Sequence, residues 1–260
     1  MKKAIGRIYI LIIMLFLYLP IFTLIVLSFN EAKSMSVWTG FSLKWYEELF
    51  RSKIMMGAIV NTFSIAILAA LVATVVGTMA VLGMAAMKQR HVNVLMGFNN
   101  IPMLNADIVT GIALMLFFLM VGLPRGYMTI LFSHATFCIP YVILSVKPRM
   151  NKNTDRLFEA ALDLGASERY AFRRIVLPEL RPGIMSGFLL SFTMSVDDFI
   201  ITYFTRGAGI NTISTLIYSQ VKVGIRPSLF ALSTLVFAAA LIVLLAVNLR
   251  QSRDDKAIAA

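Results

Sequence analysis

Asp197 and Asp198 stand side by side in SFTMSVDDFIITYFTRGAG, residues 191–209, and a third carboxylate, Asp107, lies in MLNADIVTG, residues 103–111. Up to Arg206 both stretches are otherwise apolar or hydroxylic, apart from Asn105. An ionised Asp at the centre of a membrane helix costs roughly 2.5–3.5 kcal/mol, so each needs a partner or a water-lined cavity. The chemistry such groups offer is charge compensation for a cation that has shed its water. At helical spacing Gly187, Ser191, Ser195, Asp198 and Thr202 form one polar stripe, with Ser186, Thr193 and Asp197 about 100° away. On that spacing both carboxylates share a broad polar sector, expected to face a second membrane protein rather than lipid. Phe199, Tyr203 and Phe204 add rings that can contact ammonium or methylene groups, although such rings more often face lipid or core. The competing reading is structural: hydrogen bonds to Ser and Thr hydroxyls, or an interhelical ion pair. The pathway reading is preferred for this pair, with Asp198 ahead of Asp197 because it continues the Ser191–Ser195–Thr202 stripe. For Asp107 a pathway role and a helix cap, by Asp107 itself or Asn105, stand level. Pro102 just upstream removes a backbone donor and is expected to break the helix there, the kind of interruption around which transporters build sites.

Other chemistry finds no constellation. Cys138 is the single cysteine and His91 and His134 are the two histidines, which excludes an intrachain disulfide and makes a zinc site or a nucleophile–base pair improbable. His91 falls in a loop, and His134 has Ser133 beside it as an expected partner. No G-x-x-x-x-G-K-[ST] occurs, so the chain has no phosphate-cradling loop of that type.

The elements that must position these groups are membrane helices. Of the 260 residues 59% are hydrophobic and 14% charged, with mean hydropathy +0.82, far outside the range of soluble domains. Six segments are long and apolar enough to cross about 30 Å of hydrocarbon: about 8–29, 57–87, 94–121, 127–147, 184–205 and 229–249. The first is too long for a signal-peptide core and lacks a cleavage site, so it is expected to stay as a span. Ala69, Ala73 and Gly77 form a small-xxx-small ladder for close helix approach. The net charge of +11 fits loops facing anionic lipid rather than nucleic acid, because the basic residues cluster between apolar runs. Sixteen of the 24 Lys and Arg residues fall on one side: Lys2, Lys3 and Arg7, Lys88 and Arg90, eight between Lys147 and Arg181, and Arg250, Arg253 and Lys256. The positive-inside rule then places both termini and the loop 148–183 in the cytoplasm of a single membrane domain, residues 1–260. On the opposite side Trp38, Trp45 and Tyr46 are expected to be interfacial anchors.

The loop 148–183 is the most polar stretch. Leu157, Ala160, Ala161 and Leu164 form an apolar stripe at helical spacing, with Glu159 and Asp163 on another face. Thr154 or Asp155 is the expected N-cap, Gly165 the stop, and a second short helix is expected to end at Pro178. Two such helices can lie on the membrane surface or present a rigid knob to a partner, and the residues alone leave both open.

The spacing Glu159-Ala160-Ala161, three residues, Gly165, nine residues, Ile175-x-Leu177-Pro178 resembles, without a gap, the EAA loop of ATP-binding-cassette importer permeases. Along the chain, FSHATFCIPYVILSVKPRM, EAALDLGAS, SFTMSVDDFIITYFTRG and IYSQVKVGIRPSLFALSTL are similar to the spermidine/putrescine permease family, specifically its second, C-type, membrane subunit. The resemblance implies an all-α type I importer permease of six transmembrane helices. Glu159, Ala160, Ala161, Gly165, Ile175, Leu177 and Pro178 would belong to a cytoplasmic coupling helix and its exit. It also implies a sister permease, a dimer of ATPase subunits that bind the ATP and Mg, and an extracytoplasmic substrate-binding protein. Asp198, Asp197, Asp107 and Ser195 are then candidates for the path of a polyamine across the cytoplasmic membrane. A ferric-iron permease is the nearest alternative, since related subgroups share parts of these strings; a membrane scaffold or a membrane-embedded enzyme is the rival from another class. One departure is Ala106, where the family often has Pro before the Asp.

Overall fold

The computed structural model describes residues 2–33, 37–239 and 241–242. Among them helices are the regular elements, joined by turns and short irregular loops, with one isolated antiparallel bridge between Asn30 and Phe41. Its contacts divide it into two compact units, Met1–Met56 with Ile217–Ala260, and Gly57–Leu216.

In the first unit, α1 (Lys2–Ser28) is apolar on every side from Ile8 onward, and its side chains from Ile8 to Leu19 are exposed. A helix of that kind is covered by lipid or by another chain rather than by water. A turn then returns the chain to α2 (Lys44–Arg51). Trp45 is buried there and donates from Nε1 to the Asn30 carbonyl at 2.6 Å, and the Tyr46 hydroxyl lies 2.8 Å from Ser28 Oγ. Trp45, buried by its own chain, is thus not the exposed anchor expected, and both side chains tie the turn to the end of α1. Trp38 is exposed.

The second unit is built on close helix contacts. α3 (Lys53–Ala85) buries Ala69 and Ala73, and a Cβ on Gly77 would come within 2.7 Å of Val142 Cγ1 on α6 (Tyr127–Val146). The small-residue ladder therefore does what its spacing predicts. Between them the chain forms α4 (Gln89–Leu104) and α5 (Asp107–Met120), bent by 103° at the intervening residues. The segment 94–121 is accordingly a broken element and not a straight span. The break falls at Asn105–Ala106, past Pro102, which α4 accommodates within its last turn. Neither Asn105 nor Asp107 caps α5: its N-cap is Ala106, with no side-chain bond, at φ −65°, the value a proline ring would impose. The departure from proline at this position therefore leaves the local backbone as a proline would set it.

α7 (Lys152–Asp163) is capped by Asn151, whose Oδ1 accepts from the backbone of Asn153 and Thr154, so neither Thr154 nor Asp155 is the cap. It ends as the sequence predicts. Gly165 takes φ +85°, its N–H bonds the Leu162 carbonyl at 2.9 Å, and Ala166 N–H bonds Ala161 at 3.0 Å. This is a Schellman closure, which a left-handed residue completes. Ser167 then caps α8 (Glu168–Ala171).

The second short helix does not end at Pro178. A π-turn over Phe172–Val176 leads straight into α9 (Leu177–Asp197), making one helical run Glu168–Asp197. Pro178 sits in the first turn of α9, and the wider turn before it absorbs the missing backbone donor. α9 stops at Asp198, which is extended, and α10 (Ile200–Thr205) follows; the segment 184–205 is thus broken at the carboxylate pair. α11 (Ile213–Val223) and α12 (Ser228–Ala239) complete the described helices. Of the sixth expected span, 240 and 243–249 lie outside the described residues. Gly6–Ser28, Lys53–Ala85, Tyr127–Arg149 and Glu168–Asp197 are each long and apolar enough to cross a membrane, and the bent pair makes a fifth if it counts as one span.

Candidate functional site

α6 and α9 approach closely because α9 offers glycines: a Cβ on Gly183 would lie 2.9 Å from the Ser145 carbonyl, and one on Gly187 would lie 3.2 Å from Val142 Cα. With no side chain there, the helices meet backbone to backbone, and the polar residues one and two turns further along α9 are pressed against α6. Gly187, Ser191, Ser195 and Thr202 are buried. The stripe therefore faces α6 of the same subunit, correcting the expectation that it faces another protein.

His134 on α6 closes the contact. Its Nδ1 lies 2.6 Å from Ser195 Oγ and its Nε2 2.8 Å from Thr202 Oγ1 and 3.3 Å from Asp198 Oδ2. Ser133, the expected partner, instead donates to the Thr129 carbonyl at 2.7 Å. The bonding pattern fixes the proton. The Thr202 hydroxyl donates to Asp198 Oδ2 at 2.9 Å, so toward the imidazole it accepts, and Nε2 carries a hydrogen. Asp198 also takes the orphan N–H groups at the start of α10, with Oδ1 accepting from Ile201 N at 3.2 Å and Oδ2 from Thr202 N at 2.8 Å. Its own carbonyl accepts from Ser214 Oγ at 2.8 Å. The carboxylate and imidazole side chains are 7% and 3% exposed, so the hydrogen bonds replace water almost completely.

The two neighbouring acids thus diverge. Asp198 turns inward and holds the break between α9 and α10. Asp197, the last residue of α9, is exposed, as is Asp107 in the first turn of α5. Gly111, one turn beyond Asp107 on the same face, packs against Phe204 and the backbone of Ile200–Ile201, so the two breaks are joined by the α5–α10 contact. The rings divide as well: Tyr203 is exposed and its face lies 5.7 Å from the Arg206 guanidinium.

On α7, Leu157 and Leu164 are exposed, as are Glu159 and Ala160, with Ala161 half-buried. The apolar stripe is therefore left uncovered by its own chain. Ile175 is half-buried in the π-turn, and Leu177 and Pro178 open α9.

Sequence reading passed over His134. A histidine inside an apolar helix was the available signal, since ionisable groups at membrane depth normally have a named partner. Its partners lie 61 and 68 residues away and are visible only in the fold.

Residues 73–252 match the family model described as the binding-protein-dependent transport system inner membrane component. The chain is 38% identical over 231 residues to the spermidine/putrescine transport system permease protein PotC of Haemophilus influenzae, covering 88% of this chain and 90% of that protein. It is 36% identical over 234 residues to PotC of Escherichia coli K12, covering 90% and 89%. With the putrescine transport system permease protein PotI of the same strain it shares 38% identity over 231 residues, covering 86% and 82%.

Proposed function

Because the chain belongs to the family of binding-protein-dependent transport system inner membrane components, we propose that it is the polyamine-translocating permease subunit of an ATP-driven importer. The observation that carries the reading is α7: an amphipathic helix with Glu159 and Ala160 exposed and Ala161 half-buried, closed by Gly165 at φ +85°, directly before the long helix that leads to the carboxylates. A helix with uncovered Leu157 and Leu164 suits a groove on a partner protein.

In this reading residues 1–260 act as one permease domain in the cytoplasmic membrane, with both termini and α7 in the cytoplasm. It pairs with a sister permease. ATP and Mg belong to a dimer of separate ATPase subunits, this chain being a transport subunit and not an enzyme, and an extracytoplasmic binding protein delivers the polyamine. Closure of the ATPase dimer displaces α7. The unbroken run from Glu168 to Asp197 carries that displacement to the break at Asp198. Asp197 and Asp107, exposed, compensate the ammonium charges of the passing substrate, while Asp198 and Ser195 shape the break through His134. Exposed carboxylates in a membrane domain favour a cationic cargo.

The test is a ligand screen on the binding protein of the same transport system by calorimetry, with spermidine, putrescine and a ferric chelate. Micromolar or tighter binding of a polyamine is expected. Binding of the ferric chelate alone would move the cargo to iron, and binding of a sugar or an anion would remove the cationic reading.

A further inference from the structure

Beyond the break in 184–205, the chain forms an open cavity of about 530 Å³ whose lining includes Arg125, Arg206, Tyr203, Phe204, Gly207 and Asn211. No acidic side chain lines it. Both arginines lie on the side that the charge distribution assigns to the exterior.

The cavity is built rather than accidental. The Arg206 guanidinium is fixed by Asn211 Oδ1 at 2.5 Å and lies over the Tyr203 ring. Asn211 is held in turn, its carbonyl accepting from Asn61 Nδ2 at 3.0 Å. The loop is also anchored at its start, where the Thr205 carbonyl accepts from Thr129 Oγ1 at 2.8 Å. Gly207 lies so close to the Arg125 backbone that any Cβ would collide with that carbonyl, which pins the two arginine-bearing loops together. Arg125 itself is exposed.

Two guanidiniums with no carboxylate in the cavity lining repel a polycation, so this cavity is not on the cargo's route. Their planar forks match a carboxylate, and the volume admits an acidic side chain together with the turn that bears it. We infer that the Arg125–Arg206 cavity is a receptacle for an acidic side chain of the extracytoplasmic binding protein. This rests on the permease reading above and adds to it a defined point of docking. The occupant is a protein carboxylate, because the fork donors are carried on loops that join helix ends, where a delivering protein must land.

The experiment uses the full importer, both permeases with the ATPase dimer, in phosphatidylcholine nanodiscs, and measures the affinity of the system's own purified binding protein. Arg125→Glu is expected to weaken that affinity about tenfold or more, because it sets like charges against each other, and to flatten its salt dependence. ATPase activity without binding protein is expected to stay at the wild-type level. Arg206→Lys, which keeps the charge and loses the fork, is expected to give a smaller loss. Unchanged affinity in both variants, with the wild-type complex still stimulated by the binding protein, would overturn the cavity assignment alone. Failure of the binding protein to engage the wild-type complex would overturn the permease reading and the assignment with it. If Arg125→Glu acts only in nanodiscs containing phosphatidylglycerol, the cavity holds a lipid headgroup and the assignment falls.

Discussion

Nδ1 of His134 on α6 and the hydroxyl of Ser195 on α9 lie 2.6 Å apart, bridging two helices at the level where the second of them is about to end. The other face of the same imidazole meets Thr202 and Asp198, which open the next helix. One side chain therefore spans the break from both sides.

Replacing His134 with Ala leaves Ser195, Thr202 and Asp198 buried without their shared partner. Each orphaned buried group costs about 1–3 kcal/mol, so a lower melting temperature of the purified complex is expected. Uptake should fall more steeply than the amount of assembled complex. His134→Gln, which retains part of the bonding, should recover some stability. A variant with wild-type melting and uptake would show that the imidazole holds nothing.

The divergence of Asp197 and Asp198 separates transport from folding. Asp197→Asn alters an exposed group, so a stability change within about 0.5 kcal/mol is expected together with reduced polyamine uptake. Asp198→Asn weakens the capping of α10 and the His134 contact, and is expected to lower stability by about 1–2 kcal/mol as well as uptake. Thermal melts and uptake assays on the same preparations distinguish the two. Loss of stability in Asp197→Asn, or its absence in Asp198→Asn, would reverse the assignment.

The α3–α6 contact gives a packing test. In Gly77→Ala the new Cβ would lie 2.7 Å from Val142 Cγ1, and overpacking of that kind costs about 1–3 kcal/mol. Val142→Ala in the same chain removes the colliding methyl groups and should restore part of the loss. The double-mutant cycle should show coupling, because the two residues touch; additive losses would contradict the contact.

Gly165 is a backbone test. At φ +85° an Ala is strained by about 1–2 kcal/mol, enough to fray the end of α7. Gly165→Ala should reduce recovery of the ATPase subunits with the permease. Gly165→Asn, which tolerates the left-handed region, should reduce it less. Equal recovery of all three forms would argue against α7 as the docking element.

These tests also mark what the sequence made legible. Length and apolarity located the long helices α1, α3 and α6, and Gly165 announced the end of α7, because both signals are local. The interruptions were misplaced for a physical reason. Pro178 and Pro102 looked like stops, yet a π-turn over Phe172–Val176 and the last turn of α4 absorb them. Asp198 looked like part of a continuous stripe, and the chain breaks there because His134 and Ser214 offer it bonds from distant helices. The burial of Trp45 depends in the same way on Asn30, brought back by a turn. Pairings across 15 to 68 residues leave no periodic trace.

The central claim is tested most directly by reconstituting this chain with its sister permease, ATPase subunits and binding protein into proteoliposomes and following radiolabelled spermidine and putrescine. ATP-dependent accumulation is predicted, abolished by omitting the binding protein and sharply reduced by Glu159→Lys on α7. Active ATP hydrolysis stimulated by the binding protein, without movement of either polyamine, would contradict it.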